Sequence, residues 1–131
     1  MPNADTLERF IARVEQNAHA DAIEEFYAPQ ASMRENFDPP RVGRNLLVAN
    51  ERKVLARARS VRSQCVRPVF VSGELVVIRW IFDFEWLDGS RTHMEELAYQ
   101  LQPSCVRGQE PVTTPRGMVP LCAHVHTKKR A

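Results

Sequence analysis

Two long stretches of alternating apolar and polar residues, at 75–86 and 91–100, predict a pair of strands. On the first, Val76, Ile78, Trp80, Phe82, Phe84 and Trp86 point one way, and Leu75, Val77, Arg79, Ile81, Asp83 and Glu85 point the other. Asp88-Gly89 between the stretches is a strong hairpin signal. A two-residue turn there sets Leu87 opposite Ser90, so that Asp83 pairs with Met94, Ile81 with Glu96 and Arg79 with Ala98. One face then gathers Arg79, Asp83, Glu85, Met94, Glu96 and Gln100. The other gathers the aromatic residues with His93, Glu95, Leu97 and Tyr99.

The pattern upstream is helical. Asp5 and Glu8 form a capping box, and Leu7, Phe10, Ile11, Val14 and Ala18 follow at spacings of three and four. Asp21 and Glu24 repeat the capping signal for a short helix that carries Ile23, Phe26 and Tyr27 and stops before Pro29. Residues 31–36 suit a short strand, while Asp38, Pro39, Pro40 and Gly43 predict a loop. Asn45 can cap a third helix running to about Ser60, whose Arg52, Lys53, Arg57 and Arg59 read as a solvated basic face. A strand over 64–71 turns at Ser72 and Gly73 into the hairpin. Helices first and antiparallel strands after make an α+β arrangement, with the helices gathered on one face of a curved sheet.

Composition narrows the function classes. With 131 residues, 44% of them hydrophobic and 26% charged, the chain has room for one real core. A net charge of +2 advertises neither a nucleic-acid nor a membrane surface, and no apolar run is long enough to span a bilayer. Cys65, Cys105 and Cys122 are an odd, widely spaced set that fits a reducing cytoplasm better than a disulfide framework. Residues 1–102 read as the folded domain. In 103–131, Pro103, Pro111, Pro115 and Pro120 break both periods, which predicts a mostly irregular tail with 118–125 as its one plausible strand. Cys122, His124 and His126 are zinc-type ligands without a second cluster nearby, so no metal and no cofactor is expected.

The element order, with FYAPQASMRE after the helical pair and WLDGSRTHMEELAYQ in the sheet, resembles the nuclear transport factor 2-like superfamily. Within it the resemblance is to SnoaL-like polyketide cyclases and ketosteroid isomerase-like proteins, over residues 4–102, and its most specific element is the run Phe26, Tyr27, Ala28, Pro29. It implies a cone: a bent antiparallel sheet wrapped around the helices, a pocket for a small hydrophobic ligand, and a homodimer through the convex side of the sheet. The family continues past the equivalent of Gln100 with a tryptophan, a tight turn and a last aromatic-rich strand. Here the chain reads LQPSCVRGQEPVTTPRGMVPLCAHVHTKKRA, so that strand is expected to be lost or replaced, as a change of reading frame would do.

Apolar content alone would bury the aromatic face of the hairpin. The resemblance instead puts the Asp83 and Glu96 face inside the cone and leaves the aromatic residues for the dimer contact, which is the expectation adopted, although a one-residue slip in register exchanges the faces. On it Asp83 and Glu96 form a carboxylate pair beside Arg79, poised by desolvation for proton transfer next to a carbonyl. Gln100, Tyr27, Glu85 and Met94 complete the ligand contacts. Glu35 falls where ketosteroid isomerase-like proteins carry their general base. Their oxyanion-holding tyrosine and acid fall near Ile11 and Ala98 here, so the resemblance does not extend to steroid isomerisation. His19 is expected in solvent, in the turn between helices. The functional expectation is cofactor-free acid–base chemistry, a cyclisation or isomerisation of a hydrophobic carbonyl compound; a non-enzymatic binding or dimerisation module is the alternative.

Overall fold

A computed structural model describes residues 4–101 and 122–130. Helix α1, Ala4–Glu15, buries Leu7, Phe10, Ile11 and Val14 along one stripe, as the spacing predicts. It ends at Asn17, whose left-handed φ of 65° lets the Ala18 N–H reach back to the Arg13 carbonyl at 3.3 Å. That tight exit starts helix α2 at once, over His19–Phe26, with Ala18 before it and no side-chain cap; Asp21 lies in the first turn and caps nothing.

Strand β1, Ser32–Glu35, pairs with the two-residue strand β2, Arg41–Val42, which the loop expectation left out. Pro39 and Pro40 hold β2 to that length, and it lies at the sheet edge where missing donors are tolerated. Gly43, at φ 106°, rather than Asn45, precedes helix α3, Arg44–Ala56. Strand β3, Ala58–Ser72, begins where the sequence predicted the end of that helix. Its pairing is irregular between Val66 and Phe70, around Pro68, which has no N–H to give. It pairs with β4, Leu75–Trp86, which pairs with β5, Arg91–Leu101.

The last strand is replaced rather than lost. Residues Cys122–Arg130 form β6, antiparallel to β5 and parallel to β1, and the sheet runs in the order β2-β1-β6-β5-β4-β3. This is a strand where a mostly irregular tail was expected; the remainder of that tail, including 118–121, lies outside the described residues. The chain is α+β, with three helices among the described residues and a sheet that is antiparallel there apart from the β1–β6 pair. No described helix is long and apolar enough to cross a membrane.

The hairpin register differs from the expected one by a single residue. Trp86 N–H bonds the Ser90 carbonyl at 2.8 Å, and Glu85 pairs with Arg91, so the loop holds Leu87, Asp88 and Gly89. A two-residue type I′ turn needs positive φ at both of its central residues. Only Gly89, at 88°, has it. Asp88 instead accepts the Ser90 N–H on its carboxylate at 2.8 Å, which holds the longer loop closed. The slip moves Asp83 opposite His93, Phe82 opposite Met94 and Trp80 opposite Glu96.

Every side chain of the hairpin is thereby sorted anew. Val76, Ile78, Trp80, Phe82 and Phe84 face the helices and pack with Phe10, Ile11 and Ile23 in one core. The expectation that these aromatic residues meet a second copy is corrected: they are interior. Burying five large apolar side chains at roughly 1.5–3 kcal/mol each outweighs what partly exposed ion pairs contribute.

Candidate functional site

Between the helices and the inner face of the sheet lies a cavity of about 300 Å³, at the lower end of the range for small-molecule sites. Trp80, Phe82, Phe84 and Trp86 of β4 form one wall. They stack in two pairs along the strand: Trp80 on Phe82 at 5.6 Å, and Phe84 on Trp86 at 4.9 Å. The register sets Thr92, Met94, Glu96 and Gln100 of β5 beside them, and Glu35 and Met33 of β1 also line the space. Helices α1 and α2 contribute Phe10, Val14, His19 and Ile23, Tyr27 follows α2, and α3 brings Glu51 and Val54. Burial deepens along β4 and β5 from Trp86 and Thr92, which are partly exposed, to Val76 and Gln100, which are not.

Glu96 is the decisive group. It lines the cavity, it is half-buried, and none of the described side chains bonds it directly. Loss of hydration, then the charges of Glu51 and Glu35, push its pKa up to about 8. At pH 7 the carboxyl is therefore mostly neutral and can donate a hydrogen bond. The same burial, with Glu96 and Glu51 adding to it, raises the Tyr27 phenol, which stays protonated throughout. Tyr27 Oη accepts a bond from Gln100 Nε2 at 3.1 Å.

The other two carboxylates are held. Glu35 lies 3.8 Å from Arg41. Glu51 lies 3.3 Å from His19 Nδ1, and His19 Nε2 is 2.7 Å from Ser63 Oγ. His19 is thus buried in a network, 5.1 Å from the Phe82 ring, and the expectation that it sits in solvent is corrected. Ser63, His19 and Glu51 have the spacing of a nucleophile, base and orienting acid. Ser63, however, does not line the cavity, and its hydroxyl donates to Asn17 Oδ1 at 2.8 Å. The chain of bonds orients the imidazole.

Of the residues singled out in the sequence, Glu35, Glu96, Tyr27, Gln100 and Met94 border this one cavity. Asp83, Arg79 and Glu85 do not: they alternate with the buried aromatic residues of β4 and so lie on its outer face. There Asp83 bonds His93 Nδ1 at 2.6 Å, Arg79 pairs with Glu95 at 3.7 Å, and Glu85 pairs with Arg59 at 3.5 Å. The Asp83–Glu96 pair therefore does not form; Glu96 instead shares the cavity with Glu35 and Glu51. Sequence reasoning missed Glu51, although a signal was present. It falls four residues after Leu47 and three before Val54, a lone charge on the inward stripe of α3. The basic face of α3 also has closer partners than expected: Arg52 pairs with Glu24 at 3.0 Å, and Arg57 lies 5.7 Å from the Trp86 ring centre. Among the described residues no three metal-ligating side chains gather, and the side chains of Cys122, His124 and His126 lie outside them.

No family model and no curated protein matches the sequence. Solved structures do match the fold. A protein of Mesorhizobium loti described as a SnoaL-like polyketide cyclase aligns with a TM-score of 0.66 and 16% identity, over 95% of this chain and 98% of its own. A SnoaL-like polyketide cyclase described from Shewanella denitrificans reaches 0.70 at 8% identity, over 95% and 88%. An NTF2-like protein of unknown function from Burkholderia pseudomallei reaches 0.67 at 11%, also over 95% and 88%. At these identities the likeness establishes the fold.

Proposed function

We propose that this chain, which has the nuclear transport factor 2-like fold, is a SnoaL-like pocket protein that catalyses cofactor-free proton transfer on a small hydrophobic carbonyl compound. The observation that carries the reading is Glu96, a carboxyl without a direct partner among the described side chains, facing an aromatic-walled cavity and mostly neutral at pH 7. A neutral acid in such a place polarises a carbonyl by hydrogen bonding to its oxygen. Glu35 takes the proton from the adjacent carbon as carboxylate. The C–H electron pair becomes the enolate double bond, and the carbonyl oxygen gathers the charge against the Glu96 O–H. Return of the proton to a different carbon isomerises the compound; attack of the enolate carbon on a second carbonyl cyclises it. The aromatic rungs of β4 bind the ring or chain that carries the carbonyl.

A passive binding module is the second reading. It is favoured by the partners of the other carboxylates in the cavity: Glu35, the candidate base, is paired with Arg41, and Glu51 bonds His19. The two readings part on exchange of α-protons. Ring ketones such as 2-tetralone, incubated with the protein in deuterated buffer, should lose their α-proton NMR signals faster than in buffer alone. Glu35→Gln should cut the enhancement by roughly a hundredfold. In the unsubstituted protein the rate should fall as pH rises through about 8, where Glu96 loses its proton. Exchange no faster than buffer across a panel of such ketones would remove the catalytic reading and leave the binding module.

A further inference from the structure

At the deep end of the cavity one polar group is left unfinished. Gln100 is 3% exposed, and its Oε1 has no hydrogen-bond partner among the described residues, whereas its Nε2 is bound to Tyr27 Oη. Both side chains line the cavity. Their mutual bond uses one Gln100 donor and one Tyr27 lone pair. What the pair leaves unused beside the cavity is the Tyr27 O–H and the second amide N–H as donors, and the buried Gln100 Oε1 as acceptor. If the amide is turned over, Tyr27 donates to Oε1, and the pair presents an N–H donor and the phenol oxygen as acceptor. Either orientation offers at least one of each.

From this we infer that Tyr27 and Gln100 form a recognition subsite for a hydroxyl group, so that the ligand is an uncharged ring compound bearing a hydroxyl at its inner end. A hydroxyl is the small group that gives and accepts at once and so satisfies both partners. An ether or ketone oxygen accepts from Tyr27 but leaves Gln100 Oε1 stranded, and a hydrocarbon strands both. The surroundings fit a ring: Phe10, Ile23, Trp80 and Phe82 line the cavity with Gln100 and Tyr27 and give it apolar walls. Gln100 and Glu96 stand four residues apart on one face of β5, about 13 Å of strand. The hydroxyl subsite and the acid thus mark opposite ends of one bound molecule. The inference rests on the cavity being a ligand site, as proposed above, and is independent of whether Glu96 takes part in catalysis.

The test compares 2-naphthol, 2-methoxynaphthalene and naphthalene for binding to the intact chain, read by quenching of tryptophan fluorescence and by calorimetry. 2-Naphthol should bind at least about tenfold more tightly than either analogue. Tyr27→Phe and Gln100→Met should each erase most of that preference while naphthalene binding changes little. Asp83→Asn, on the outer face of the sheet, should leave the preference intact. Circular dichroism of each variant confirms the fold, and Tyr27→Phe, which removes a single oxygen, serves if Gln100→Met does not fold. Equal binding of the three compounds overturns the hydroxyl subsite and leaves the cavity as a ligand site. Failure of all three to bind overturns the ligand site as well.

Discussion

Replacing Glu96 by glutamine should change how the fold responds to pH more than it changes the fold. The folded carboxyl has its pKa pushed from 4.5 up to about 8. Between those values the native chain holds a proton that the unfolded chain has released. Stability therefore falls as pH rises, by about 1.4 kcal/mol per pH unit for this one group, and levels off above about 8. From pH 5 to pH 8 the loss is on the order of 3 kcal/mol, a large part of the stability of a domain this size. Glutamine has the shape of the neutral acid and cannot ionise, so the Glu96→Gln protein lacks that slope, while every other titrating group contributes equally to both proteins. Urea denaturation followed by the fluorescence of Trp80 and Trp86, both on the cavity wall, measures the difference. With a slope of roughly 1–3 kcal/mol per molar urea, the midpoint of the variant should gain at least about 1 M on the original between pH 5 and pH 8. A gap that stays constant with pH would mean that Glu96 is hydrated or partnered in the folded chain, and the argument for a neutral acid would fail.

Two further outcomes follow from the hairpin. Gly89→Ala should destabilise by about 1 kcal/mol, seen as a lower thermal midpoint, because φ is 88° there and only backbone strain opposes the added methyl. Asp83→Asn, on the outer face, should leave 2-naphthol affinity and α-proton exchange within about twofold of the original; a loss of either beyond tenfold would put the carboxylate back in the site.

Much of the fold was legible because it is written in local periodicity. The stripe of Leu7, Phe10, Ile11 and Val14 and the alternation of 75–86 each name an element and a buried face without reference to the rest of the chain. Apolar content also pointed to the correct inner face of the hairpin. The expectation failed when analogy was weighed above it together with a two-residue turn. Asp-Gly serves a two-residue turn and a three-residue loop alike, and the choice depends on whether Asp88 takes positive φ or folds its carboxylate onto Ser90. That one residue decided whether Met94, Glu96 and Gln100 would share a face with Asp83 or with Phe82. Glu35, Glu96, Tyr27 and Gln100 were reachable from sequence. Glu51 was missed although it stands as a lone charge on the inward stripe of α3, and His19 acquires its meaning only from the packing of α2, α3 and β3. The strand β6 was obscure for a related reason: its partners, β1 and β5, lie far from one another in the chain and it carries no strong pattern of its own.

The position of β6 has a consequence for how the molecule comes into being. It is translated after every other element described, yet it is the seam that joins β1 and β2 to β5, β4 and β3. A nascent chain can close its helices over the hairpin before β6 emerges, but Glu35 reaches its place in the wall only once β6 has paired. Until then an interior rim lies bare, and the newborn protein has most need of a chaperone in the interval before that strand is in place.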